Sequence, residues 1–181
     1  AAFSPNLSQW SAGEYQGANN RQDDIKIITT QNGFGFRPDQ AGNSIAGSVK
    51  ISATKNGSVF NVDQYGIIEQ RNDSDFFRLD VGNGPVSLYA VSGAVGGLNS
   101  NLDILMEVYN ANGQLVASSN PDDQITANLT FNAVLGAYYV KIDGVGRGDP
   151  KGDGYTDYGS LGQYKILGTF ADPENSPPII N

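Results

Sequence analysis

The sequence predicts an all-β fold: a two-sheet antiparallel β-sandwich of jelly-roll-like topology, with eight or nine strands. Three observations predict it. Segments alternating between apolar and polar residues recur along the chain. Turn-forming residues separate them, with 23 glycines and frequent Asn, Ser and Asp. No stretch carries convincing helical periodicity. At 181 residues the chain is long enough to bury a core and carry an extension.

Residues 1–38 read as an irregular N-terminal extension, or as a junction to an upstream domain. Trp10, Tyr15, Phe34 and Phe36 stand among Gly, Asn and Gln, and the large aromatics argue against disorder. Residues 23–28 are the one candidate there for regular structure, a short strand. From residue 39 to 171 the pattern is β throughout. Residues 48–53, 65–70, 75–81 and 85–92 are expected strands, with Arg71-Asn-Asp-Ser74 as a turn. Residues 103–109 and 114–118 flank Asn110-Ala-Asn-Gly113, a hairpin turn. Residues 125–131 put Ile125, Ala127, Leu129 and Phe131 on one face. Tyr138, Val140 and Ile142 alternate with Tyr139, Lys141 and Asp143, and residues 163–168 form a last strand. Residues 172–181 hold three prolines and read as a stiff linker to a following domain, whose first strand would begin at Ile179 and Ile180. The chain is therefore expected to be a piece of a larger multidomain protein.

The formal charge of −8 disfavours nucleic acid and anionic membrane surfaces as partners. No apolar run approaches the roughly 20 residues of a membrane span, so no membrane insertion is expected. There is no cysteine; in an exported protein, stability must then come from packing or metal. There is no histidine, which removes the commonest general base, the Ser-His-Asp arrangement and most zinc sites.

Asn72, Asp73 and Asp75 crowd oxygens into one turn, and their repulsion is relieved if a cation sits among them. Such residues also cap and bend turns without any metal. The loop of about eighteen residues at 145–162 is long for a β domain, so it is either functional or tied down. Asp149, Asp153 and Asp157 offer it a second cation, although their spacing of four does not match an EF-hand. A solvated loop packed by Tyr155 and Tyr158 is the alternative. Tyr89, Tyr139, Tyr155 and Tyr158 are candidates for stacking on a sugar ring or packing on collagen, with burial in the core as the competing role. Glu69 and Glu107 are the carboxylates a glycoside hydrolase would need, but nothing near them in the sequence marks a cleft.

Taken together, Gly66-Ile-Ile-Glu69, Asn72-Asp-Ser-Asp-Phe-Phe77, Asn101-Leu-Asp-Ile104, Ala137-Tyr-Tyr-Val-Lys-Ile-Asp-Gly144 and Tyr155-Thr-Asp-Tyr-Gly-Ser-Leu-Gly-Gln-Tyr164 resemble bacterial pre-peptidase C-terminal domains. The likeness covers about residues 39–170 and is to the version found behind secreted metalloproteases, related to the collagen-binding domains of collagenases. The resemblance implies a β-sandwich accessory domain, secreted and non-catalytic, covalently linked to a catalytic domain. It implies calcium at one end of the sandwich, between the acidic turn and the segment just upstream, which carries Asp39, Asn43, Asp73 and Asp75 onto this chain as ligands. It also implies an insoluble polysaccharide or a collagen-like protein as partner. The alternative is a secretion, maturation or structural module with no ligand of its own.

Overall fold

Alternation in sequence becomes alternation in burial. Along one central strand Val86, Leu88 and Ala90 are buried, while Ser87 and Tyr89 face solvent. The computed structural model describes residues 12–93 and 100–175. It contains ten strands: β1 (Val49–Lys50), β2 (Ala53–Asn56), β3 (Val59–Ile68), β4 (Ser74–Val81), β5 (Gly84–Ser92), β6 (Ile104–Asn110), β7 (Leu115–Ser119), β8 (Ala127–Ala133), β9 (Gly136–Gly144) and β10 (Gly162–Ala171). They form two five-stranded sheets, β1-β4-β9-β6-β7 and β2-β3-β10-β5-β8. All pairs are antiparallel except the short edge pair of β1 with β4.

The connectivity is nested. β3 pairs with β10, β4 with β9, β5 with β8 and β6 with β7. One long hairpin folded across two sheets gives this order, which is that of a jelly roll. Between the sheets lies one core. Phe77, Leu79, Val81, Val140, Ile142, Ile104, Met106 and Val108 come from one side, and Val86, Leu88, Tyr164, Ile166 and Phe170 from the other. Each such large side chain contributes about 1.5–3 kcal/mol on burial. The β6–β7 turn forms as its sequence requires: Asn110 Oδ1 accepts from the amides of Asn112 and Gln114, and Gly113 takes φ +74°.

Residues 23–28, expected as a strand, belong instead to an eight-residue helix α1 (Asp24–Gln31). Asp23 is the reason: its side chain accepts from Lys26 N and caps the helix, and Asp24 adds negative charge to the first turn. Tyr158 fixes the same cap, donating its hydroxyl to Asp23 Oδ1 (2.6 Å) and accepting from Ile25 N (3.0 Å). Glu14 reaches Thr156 and Arg71. The segment before the sandwich is thus fastened to it. Trp10 lies outside the described residues, as do positions 176–181 of the expected linker. The described part of that linker turns at Pro173–Asn175, where Asp172 is buried against Lys55 at 2.5 Å.

Candidate metal site

The acidic turn between β3 and β4 folds on its own side chains. Asp73 N donates to Gln70 O, and Asp73 Oδ2 accepts from Glu69 N at 3.0 Å. Asp75, the second residue of β4, points into the sandwich. There its Oδ2 accepts from the hydroxyl of the fully buried Tyr164 on β10. Gly66, beside that hydroxyl on β3, has no room for a Cβ. The upstream segment closes the site from outside. Asp39 turns back to accept from Ala41 N (2.9 Å), and Asn43 Oδ1 accepts from Ser74 N (2.7 Å).

These links bring Asp39, Asp73 and Asp75 together. One carboxylate oxygen from each lies within 4.8 Å of the other two. Asp73 and Asp75 are buried and Asp39 is exposed. Asn43, expected among the ligands, has its side-chain oxygen committed to Ser74 N, and it joins the upstream segment to the turn.

Glu69 lies beside the cluster, against Asp73; the sequence offers it as a hydrolase carboxylate and not as a member of an acidic cluster. It is 8% exposed, and both of its carboxylate oxygens are buried without a donor. Asp75 Oδ1 is in the same condition. The Asp73 carboxylate lies beside Glu69, and two carboxylates bond to each other only by sharing a proton. Burial, then contact with Asp73 and the Asp73 and Asp75 charges, pushes the Glu69 carboxyl up to about 8. Burial also lifts Asp75 to about 7, aided by the Asp73 and Asp39 charges and opposed by the Tyr164 hydrogen bond. Four carboxylates and three donorless buried oxygens are unfavourable for the protein alone. A cation among them turns that repulsion into attraction. The donor set is all oxygen, with neither His nor Cys in the chain, so it suits a hard ion. Several anionic ligands on a turn and a strap fit Ca²⁺, which accepts six to eight oxygens at about 2.3–2.6 Å in flexible geometry.

The long loop is tied down by hydrogen bonds. Arg147 and Tyr155 exchange backbone hydrogen bonds at 2.9 and 2.8 Å, and the Tyr155 hydroxyl donates to the buried Asp103 Oδ2 at 2.7 Å. Its aspartates separate: Asp149 accepts from Lys151 N, Asp153 lies beside Arg147, and Asp157 pairs with Arg71 at 2.5 Å. Among the described residues, no group placed to share a metal ion includes them.

The tyrosines divide. Tyr155 and Tyr158 are each 7% exposed with their hydroxyls bound to aspartates. This corrects the expectation that they stack on a ligand; they anchor the loop and α1. Tyr139 is half-buried on the outer face of the first sheet. Tyr89 is 40% exposed on the outer face of the second, and Tyr65, not among the candidates for stacking, is 55% exposed on the same face. Glu69 and Glu107 do not form a catalytic pair. Glu69 belongs to the acidic cluster, and Glu107 accepts from Tyr109 and Lys141. A cleft of about 660 Å³ adjoins the acidic turn, lined by Arg71, Asp73, Asp143, Arg147 and Asp157. Its charges are engaged: Arg71 with Asp157, Asp143 with Lys141, and Arg147 with the Asp122 carbonyl.

No family model matches the chain, and no curated protein matches it. Among solved structures, it is similar to the pre-peptidase C-terminal domain of a collagenase from Bacillus anthracis. The two are 13% identical, with 73% of this chain and 97% of that one covered and a TM-score of 0.46.

Proposed function

We propose that this chain is a non-catalytic accessory module of a secreted bacterial hydrolase, a metalloprotease, and that it holds its parent enzyme on an insoluble polymer. The observation that carries this reading is the acidic cluster at one end of the sandwich. Asp39, Asp73 and Asp75 converge there beside Glu69, and the buried oxygens lack donors. That is where the resemblance in sequence implies calcium. The ion would be held by Asp39, Asp73 and Asp75, with the Glu69 carboxylate beside Asp73. It would neutralise them and clip the upstream segment, through Asp39, to the start of β4. Its work is mechanical: a stiffened junction keeps the module in a fixed attitude to whatever precedes it. The chain's own residues already supply the frame, since Asn43 fastens the strap and Tyr164 holds Asp75.

Sedimentation with insoluble polymers tests the anchoring reading. The 181-residue chain is mixed with microcrystalline cellulose, chitin and fibrous collagen, in calcium and in EDTA. Depletion from solution by at least one polymer is expected. If the chain stays in solution with all of them, the anchoring role is wrong and a maturation or structural role takes its place.

A further inference from the structure

The two sheets present chemically different outer faces. On the first, ions dominate: Lys141 lies between Glu107 and Asp143, and Arg78 pairs with Asp80. On the second, one cross-strand row runs Thr54–Asn61–Thr169–Ser87–Thr130 through all five strands. Every member of that row is uncharged and can form hydrogen bonds. The next row runs Asp63–Leu167–Tyr89–Asn128, and the one beyond pairs Tyr65, Lys165 and Val91. Tyr65, Tyr89 and Leu167 are 55%, 40% and 37% exposed. The charges on these two rows cancel, because Lys165 Nζ lies 3.0 Å from Asp63. In a chain of net charge −8 this face is locally neutral.

We propose that the outer face of the β2-β3-β10-β5-β8 sheet binds a neutral, β-linked polysaccharide chain, with Tyr65 and Tyr89 stacking on its sugar rings. This rests on the anchoring reading above and names the polymer class and the surface. The geometry carries it. β3 and β5 flank β10, so Tyr65 and Tyr89 are two strand spacings apart, and their partners on β10 differ by two residues. At about 4.8 Å per strand and about 3.4 Å per residue, the two residues lie about 12 Å apart. That separation suits two rings one disaccharide repeat apart on an extended β-1,4-linked chain. Leu167 and Lys165 flank the midpoint between them. The Lys165 ammonium sits 4.6 Å from the Tyr65 ring centroid and fixes that ring in place, so less freedom is lost on binding. A pyranose offers an apolar C–H face to the rings and hydroxyls to the flanking Thr, Ser and Asn row. A polyanion would be repelled by the whole molecule, and a polycation would find no unpaired carboxylate on these rows.

The same sedimentation assay tests it with variants of the full chain on cellulose and chitin, with collagen in parallel. Tyr65→Ala and Tyr89→Ala each weaken polysaccharide binding about five- to tenfold, and the double variant does so multiplicatively. Tyr65→Phe and Tyr89→Phe keep the ring and stay within about threefold of the parent. Tyr139→Ala, on the other sheet, changes nothing. Melting midpoints are measured on every variant, because these side chains are exposed and their loss leaves the fold intact. Polysaccharide binding unmoved by the double alanine variant overturns the assigned face while the anchoring reading stands. Depletion by collagen alone overturns the polymer class while leaving that reading in place. No depletion by any polymer overturns both.

Discussion

Asp103 and Glu69 are both buried carboxylates, and they differ in what neutralises them. Asp103 stands alone: Tyr155 donates to one oxygen, and the other is buried without a partner. Burial lifts its carboxyl from 3.8 to about 6, against the lowering effect of the Tyr155 hydrogen bond and the Arg147 charge. The native state therefore holds this proton more tightly than the unfolded chain. The contribution to stability is full below pH about 4 and is lost as pH rises through about 6. Asp103→Asn keeps an acceptor for Tyr155 and cannot ionise. In EDTA, its stability relative to the parent is expected to rise by about 1–2 kcal/mol between pH 4 and pH 7 and then level off. Urea unfolding across that range reads the difference, and a flat difference contradicts the assignment. Gly66 makes a second case. A methyl there would occupy the space of the Tyr164 hydroxyl and break its bond to Asp75. Gly66→Ala is expected to destabilise the protein by about 2–3 kcal/mol, read by the same unfolding experiment.

Among the elements, α1 shows what sequence periodicity misses. Ile25, Ile27 and Ile28 look like a strand fragment, but among the described residues no strand pairs with them, and the Asp23 cap decides the local structure. Tyr158 docks that helix from 133 residues away, through Ile25 N. Tyr158→Phe removes both hydrogen bonds while Asp23 still caps the helix. Cleavage by trypsin at Lys26 is expected to speed up severalfold while the melting midpoint stays within a few degrees, because the core is untouched. Equal cleavage rates in the two proteins would show that Tyr158 does not hold α1. The strands were legible because alternation along β5, β9 and β8 is a local pattern imposed by a buried face. The acidic turn was legible for the same reason, with its oxygens adjacent in sequence. Glu69 was not. It follows a run of apolar residues in β3, and its burial beside Asp73 and Asp75 depends on how the turn and β4 fold back on it. Packing by Tyr155 and Tyr158 was legible as one of two roles, but their aspartate partners, Asp103 and Asp23, were not, because they lie far off along the chain.

The described residues form a jelly roll in which β3 and β4 carry the acidic turn, and the Asn43–Ser74 hydrogen bond fastens the upstream strap to it. On the proposed reading the sandwich supplies the scaffold, and a calcium ion would supply the positive charge that the clustered carboxylates lack. Stability would then depend on calcium. An ion bound only by the native state at a hundredfold excess over its Kd stabilises by about 2.7 kcal/mol. For a chain of this size that raises the melting midpoint by about 5–10 °C. The most direct measurement is the melting midpoint of the parent chain and of Asp75→Asn and Glu69→Gln, each in calcium and in EDTA. The account predicts a calcium-dependent rise of that size in the parent and its loss or sharp reduction in both variants. A parent midpoint that is the same in calcium and EDTA would contradict it.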